Sequence, residues 1–120
     1  MGSMRRVLAA AILLAGGAAA QAADLVEDYR AQCTLAASAS LLGEESNAVL
    51  SDEVVRRMNQ AVDIAGDSRW VYSRRPVFIW ATEAKVACGK AYGYLRASYR
   101  DDDTIGKCEC FHSRMLQYMN

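Results

Sequence analysis

The chain has 120 residues, and its 14 basic and 14 acidic side chains give a formal net charge of zero at neutral pH. A near-neutral protein lacks the basic surface that nucleic-acid binding requires, which argues against that class of function. The length indicates a single domain, and a core this small gains stability from cross-links.

The N-terminus has the order of charged, apolar and small residues that is typical of a secretory signal peptide. Two arginines precede the apolar stretch 7–15, and small residues follow up to Ala22, after which we expect cleavage. The apolar stretch is shorter than the roughly 20 residues of a membrane-spanning helix, so we expect no stable membrane anchor after cleavage. Residues 1–22, of which 1–3 look like a cloning remnant, therefore precede a single helical domain at 23–120, exported to the bacterial periplasm or secreted.

Four predicted helices account for nearly all of this domain. The first runs from an N-cap at Asp24 to Gly43, a residue type that often ends helices. After a polar connection, Ser51 caps the second helix, which ends at Gly66. The apolar face of the second helix recurs at helical spacing: Val54, Val55, Met58, Val62 and Ala65.

An irregular segment, 67–75, separates the second helix from the third and can be extended or form a loose helical turn. The third helix begins at Pro76 and continues to about Tyr99. Gly89 and Gly93 are four residues apart, and each lowers helix propensity by about 1 kcal/mol, so we expect a neighbouring helix to pack closely against them. The predicted buried stripe of this helix consists of Trp80, Ala84, Ala87, Cys88, Ala91 and Leu95.

Asp101, Asp102 and Asp103 cap the last predicted helix, where the helix dipole favours acidic side chains. The segment lacks the alternating ligands and the glycine of a calcium-binding loop, so a cap is favoured over a calcium site. Apolar residues at spacings of three and four predict one amphipathic helix to the C-terminus: Ile105, Cys108, Phe111, Met115 and Met119.

The four cysteines, an even number in a small exported domain, indicate disulfides. Cys108 and Cys110 point about 200° apart on a helix, so each needs a partner elsewhere. Cys33 and Cys88 are the remaining candidates. Because Cys108 shares the apolar stripe and Cys110 lies towards an edge, we favour Cys33–Cys110 and Cys88–Cys108, with the swapped pairing left open.

A metal site is the alternative interpretation of the last helix. Cys108, His112, Met115 and Met119 lie near one face, and this ligand set suits Cu(I) or, through the cysteine and histidine, zinc. Oxidation would remove the thiolate, and methionines at helical spacing usually pack in a core. We therefore expect no cofactor, and expect His112 to be a partly exposed helix residue.

Catalysis has little support in the sequence. The serines lack a hydrolase motif, and the only histidine has no matched nucleophile. Glu83 and Glu109 have no evident partner carboxylate for glycosidase chemistry. We therefore expect a protein that is not an enzyme.

Two groups of residues are candidates for binding a protein partner. The first combines the aromatic and arginine side chains that dominate protein interfaces: Arg69, Trp70, Tyr72, Arg74 and Arg75. The second is the acidic turn of Asp101, Asp102 and Asp103. The alternative for the aromatic residues is that they close the end of a small core.

Two stretches, "DYRAQCTLAASAS" and "KCECFHSRML", resemble the periplasmic immunity proteins that neutralise type VI secretion amidase effectors. The pattern also fits other small exported bacterial proteins. The resemblance implies a small, largely helical, disulfide-containing protein that binds an effector and blocks its active site. It carries over no binding residue, and the middle of the chain, including Cys88, has no counterpart in it.

The sequence thus predicts an all-α, four-helix bundle with two disulfides that acts by binding an effector or another envelope protein. Copper or zinc binding is the alternative function. A homodimer formed through the small-residue helix faces is a further possibility.

Overall fold

The computed structural model of the chain describes residues 32–33 and 39–120. The elements of this part are a 3-10 helix (Ser40–Gly43), α1 (Asn47–Ala65), α2 (Ser68–Val71), α3 (Val77–Arg96) and α4 (Asp102–Met119). An all-α domain cross-linked by two disulfides is confirmed. The predicted signal peptide and its cleavage site lie outside the described residues.

The predicted first helix, residues 24–43, also lies largely outside the described part of the chain. Where it is described, at residues 32–33 and 39–43, the backbone forms a turn and the short 3-10 helix. The residue before the 3-10 helix is extended, so the prediction of a continuous α-helix is wrong at this end. The cause is a tertiary contact: the carboxylate of Glu109 accepts the backbone N–H of Leu41 (2.9 Å) and holds this segment against α4.

Helix α1 begins one turn earlier than the sequence predicts. Ser46, and not Ser51, is its N-cap, and its Oγ accepts the backbone N–H of Val49 (3.3 Å). The additional turn buries Leu50 completely, a contribution of about 2 kcal/mol. The buried residues of the helix are Leu50, Val54, Ala61 and Ile64. The predicted apolar face is therefore correct in part: Val54 is fully buried, whereas Val62 is exposed.

Helix α3 is central and packs along α4 on one side and α1 on the other. Its predicted stripe is confirmed, because all six residues are buried. Trp80 is fully buried, with its ring centroid 5.9 Å from that of Phe111 and 6.4 Å from that of Tyr118. Cys88, further along α3, is bonded to the earlier α4 residue Cys108, so the two helices are antiparallel.

Both disulfides involve α4. Cys33 is bonded to Cys110 and Cys88 to Cys108, with Cα–Cα distances of 5.7 and 4.5 Å. This is the pairing that the sequence favours. Cys108 is fully buried in the core, whereas Cys110 is only partly buried, at the edge. All four cysteines of the chain are therefore oxidised.

Helix α3 ends at Arg96, before the predicted end, in a Schellman motif. The backbone N–H of Tyr99 donates to the carbonyl of Tyr94 (2.9 Å), and that of Ser98 donates to the carbonyl of Leu95 (3.0 Å). Ser98 has a φ of 60°, a left-handed conformation that favours glycine. The rings of Tyr94 and Tyr99 meet edge to face, 5.5 Å apart, and supply the apolar contact typical of this motif.

The two glycines of α3 have no tightly packed neighbour among the described residues. A Cβ at Gly93 would meet nothing within 4 Å, and one at Gly89 would lie 3.9 Å from Sδ of Met58, an ordinary contact. The close helix approach that their spacing predicts is therefore not seen in this part of the chain.

Candidate functional site

The aromatic and arginine residues predicted to bind a partner lie in α2 and in the loop that leads to α3. We call this group the basic–aromatic tip: Arg69, Trp70, Tyr72, Arg74 and Arg75. The loop lies beside the C-terminal end of α4, because a guanidinium nitrogen of Arg75 donates to the carbonyl of Met119 (3.4 Å).

Local hydrogen bonds fix the backbone of the tip. Asp67 caps α2, and its carboxylate accepts the backbone N–H of Arg69 (2.9 Å). At the other end of this single turn, the backbone N–H of Tyr72 donates to the carbonyl of Ser68 (3.1 Å). The backbone that carries the side chain of Tyr72 is therefore hydrogen-bonded to α2.

Trp70 connects the tip to the core. Its side chain is partly buried and packs against the core, as the core-closing interpretation predicts. The guanidinium of Arg69 lies over the indole ring, 5.1 Å from its centroid, and pairs with the carboxylate of Asp67 (3.1 Å). This cation–π contact and ion pair orient Arg69.

Tyr72 is the most exposed large apolar or aromatic side chain in the described residues. It is 86% exposed, whereas its neighbours Val71 and Phe78 are 40% and 38% exposed. Side chains of this size are usually at least half covered in small domains. The fold therefore leaves one aromatic ring almost wholly in solvent at this position.

The charges of Arg74 and Arg75 have no carboxylate partner in the described part of the chain. Arg75 donates to a main-chain carbonyl, and Arg74 makes no hydrogen bond or ion pair with the described residues. Both side chains are exposed. The tip is therefore positively charged as well as aromatic.

The acidic turn lies at the opposite ends of α3 and α4. A helix of the length of α4, 18 residues, spans about 27 Å, so the two predicted surfaces cannot form one site. Asp101 caps α4 by accepting the backbone N–H of Thr104 (3.0 Å), and Asp103 pairs with Lys107 (2.8 Å). Asp101 and Asp103 thus stabilise the start of the helix, and both Asp102 and Asp103 are exposed.

Three consecutive residues of α4 fasten three other segments. Cys108 is bonded to α3, Cys110 is bonded to Cys33, and between them Glu109 accepts the backbone N–H of Leu41 and the hydroxyl of the preceding serine. We call residues 32–33, the 3-10 helix and residues 108–110 the anchor region. Sequence reasoning missed the role of Glu109, because its partners lie 68 and 69 positions away.

His112 is buried, and the expectation that it is partly exposed is wrong. Helix α4 packs against α1 as well as α3, and Nε2 of His112 donates to Oε1 of Gln60 on α1 (2.6 Å). Burial, with smaller contributions from the charges of Arg57 and Arg56, lowers the pKa of His112 to about 4. The same two arginines, which hydrogen-bond to Glu53, lower the pKa of its carboxyl group.

The four residues of the alternative metal site are not arranged for ligation. The sulfur of Cys108 is in a disulfide, Met115 is fully buried in the core, and the imidazole of His112 is hydrogen-bonded to Gln60. Met119 packs against the core. Among the described residues no group of three or more His, Cys, Asp or Glu side chains could hold a metal ion. Copper or zinc binding here would require reduction of the disulfide.

Comparisons of the chain with protein-family models, with curated proteins and with solved structures found no match. Among the described residues, no helix is both long and apolar enough to cross a membrane.

Proposed function

We propose that this chain is an exported bacterial protein that acts in the periplasm by binding a protein partner through the basic–aromatic tip. The observation that carries the proposal is the 86% exposure of Tyr72 on a fixed backbone. An aromatic side chain has few rotatable bonds, so on an ordered backbone it contributes a large contact area and loses little conformational entropy on binding. Tyrosine, tryptophan and arginine are the residue types that most often dominate binding energy.

The disulfides support the location. Two disulfides that use every cysteine indicate an oxidising compartment outside the cytoplasm. The signal-peptide pattern at residues 1–22 indicates export across the inner membrane. Together they favour the periplasm.

The specific form of the proposal is an immunity-type inhibitor, in which the partner is a toxic enzyme. The two stretches that resemble such proteins are joined by the Cys33–Cys110 disulfide, and each contributes residues to the anchor region. The resemblance therefore concerns the scaffold. The tip lies outside both stretches, as expected for a surface that differs with each partner.

The test is capture of a partner from a bacterial envelope extract with the full exported chain. Wild type and Val86→Ala, a control at an exposed residue in the middle of α3, should recover the same protein, and Tyr72→Ala should not. For the inhibitor form, the purified partner should lose its enzymatic activity when an equimolar amount of this protein is added. Recovery of no protein, or recovery that all three forms share equally, would contradict the proposal.

A further inference from the structure

We infer that the surface recognised by the tip is an acidic protein surface and that Tyr72 is the residue whose burial contributes most to binding. The inference rests on the proposed function and specifies the chemistry of the partner. Three observations carry it. Arg74 and Arg75 have no carboxylate partner among the described residues, Tyr72 is almost fully exposed, and little other apolar surface is exposed near Tyr72.

The first observation is a contrast between arginines of the same chain. Arg56 and Arg57 on α1 share the carboxylate of Glu53, and Arg69 pairs with Asp67. Arg74 and Arg75 have no such partner among the described residues. A partner that covers the tip removes water from both guanidinium groups, which is unfavourable unless it supplies negative charge. Carboxylates match the planar guanidinium with two parallel hydrogen bonds, so Asp and Glu side chains are the expected contacts.

The second observation concerns Tyr72. Its ring is almost fully exposed, and its backbone N–H already bonds to Ser68, so the ring can be covered without reordering the chain. Its hydroxyl can donate to a carboxylate while the ring packs on an apolar part of the same surface. This places an aromatic residue, the type most enriched among dominant contacts, beside two charges that need partners.

The third observation favours a protein over a membrane. Apart from Tyr72, the exposed large apolar side chains nearest in sequence are Val71 and Phe78, which are only 40% and 38% exposed, and Trp70 is partly buried against the core. Lipid binding needs a broad apolar face that enters the bilayer, which this group does not offer.

The experiment is photo-crosslinking in cells that export the full chain. A photoreactive phenylalanine analogue replaces Tyr72 or, as a matched control, Tyr94, an exposed tyrosine near the other end of α3. Each probe is combined with Arg74→Glu or with Lys90→Glu, a charge reversal at an exposed lysine away from the tip. Adducts are sized on gels and identified by mass spectrometry.

The expected result is one protein adduct at position 72 that is missing at position 94. Its yield should fall at least about tenfold with Arg74→Glu, stay unchanged with Lys90→Glu, and fall with added salt. The crosslinked peptide of the partner should contain Asp or Glu. The inference would be overturned if Arg74→Glu left the yield of the adduct unchanged. It would also be overturned if the adduct contained a lipid, or had twice the mass of the chain and was therefore a dimer.

The outcomes also separate the inference from the proposed function. A protein adduct at position 94 alone would contradict both the acidic-partner inference and binding through the tip, and would place protein binding on another surface. A protein adduct at position 72 that ignores Arg74→Glu would keep the tip and remove the acidic partner. No protein adduct at either position would contradict both.

Discussion

The anchor region and the basic–aromatic tip differ in how far their side chains are engaged within the fold. In the anchor region the carboxylate of Glu109 is fully engaged with the 3-10 helix, and the flanking cysteines are both bonded. In the tip, Tyr72 is almost wholly exposed and Arg74 has no partner in the described part of the chain. The difference separates residues that hold this fold together from residues that are free to contact another molecule.

The largest expected effect comes from opening the anchor region. Replacing Cys33 and Cys110 with alanine should lower the free energy of unfolding by about 4 kcal/mol, because their bond closes a loop of 77 positions in the unfolded chain. The bond between Cys88 and Cys108 closes a shorter loop, of 20 positions. Its removal should therefore lower the free energy of unfolding by about 3 kcal/mol, because the unfolded chain gains less conformational entropy. Denaturant unfolding without reductant measures both, and equal effects would contradict the loop argument.

Lowering the pH should weaken the contact between α1 and α4 and destabilise the fold. The pKa of His112 is about 4 in the fold and about 6.5 in the unfolded chain, so the unfolded chain binds the proton more tightly. The stabilisation by neutral His112 is complete above pH 6.5 and is lost as the pH falls towards 4, amounting to about 2 kcal/mol between pH 7 and pH 5. Urea unfolding at these two pH values should show this loss in wild type. His112→Gln keeps a hydrogen-bond donor and does not titrate, so this variant should not show the loss of stability that is due to His112.

Loss of the Glu109 carboxylate should have the next largest effect. Glu109→Ala leaves the Leu41 N–H without its charged acceptor and should cost about 2 kcal/mol. Hydrogen exchange at the Leu41 amide should accelerate, which separates local release from general instability. Glu45→Ala, at an exposed carboxylate shortly after Leu41 in the sequence, should change stability by less than about 0.5 kcal/mol.

Two substitutions in and after α3 should stabilise the protein. Ser98→Gly removes the strain of a left-handed residue, and Gly93→Ala adds helix propensity where the described residues leave space for a Cβ. Each should raise the free energy of unfolding by about 1 kcal/mol. A thermal melt of each variant gives the result, and a fall with Gly93→Ala would mean that this face contacts something in the folded protein.

The smallest expected change is in the tip. Tyr72→Ala and Arg74→Ala should each alter the free energy of unfolding by less than about 0.5 kcal/mol, because neither side chain holds another described residue. A loss as large as that of Glu109→Ala would remove the distinction between the two regions.

Local patterns predicted the parts of the fold that local forces decide. The stripe of α3 repeats without interruption at helical spacing, and all of it is buried. The start of α1 was missed because Ser46 and Ser51 are both good caps, and only the burial of Leu50 decides between them. The left-handed residue at Ser98 was missed because glycine is the usual signal for that conformation.

For a related reason, the sequence could predict the composition of the candidate site but not the exposure of its side chains. Composition identifies a cluster of aromatic and basic residues, but exposure depends on what the fold packs beside each of them. Trp70 packs against the core, whereas Tyr72, two residues later, remains outside. The contacts of Glu109 and His112 come from segments 68 and 52 positions away, and no local pattern contains that information.

The disulfides are nested, with the first cysteine bonded to the last and the two middle ones bonded to each other. A chain that crosses a membrane from its N-terminus presents Cys33 and Cys88 before either true partner emerges. An oxidant that joins thiols in order of arrival would therefore form the wrong bond. Correct pairing during such a passage requires that Cys33 and Cys88 stay reduced until Cys108 and Cys110 have emerged, or an isomerase that exchanges the first bond for the right one.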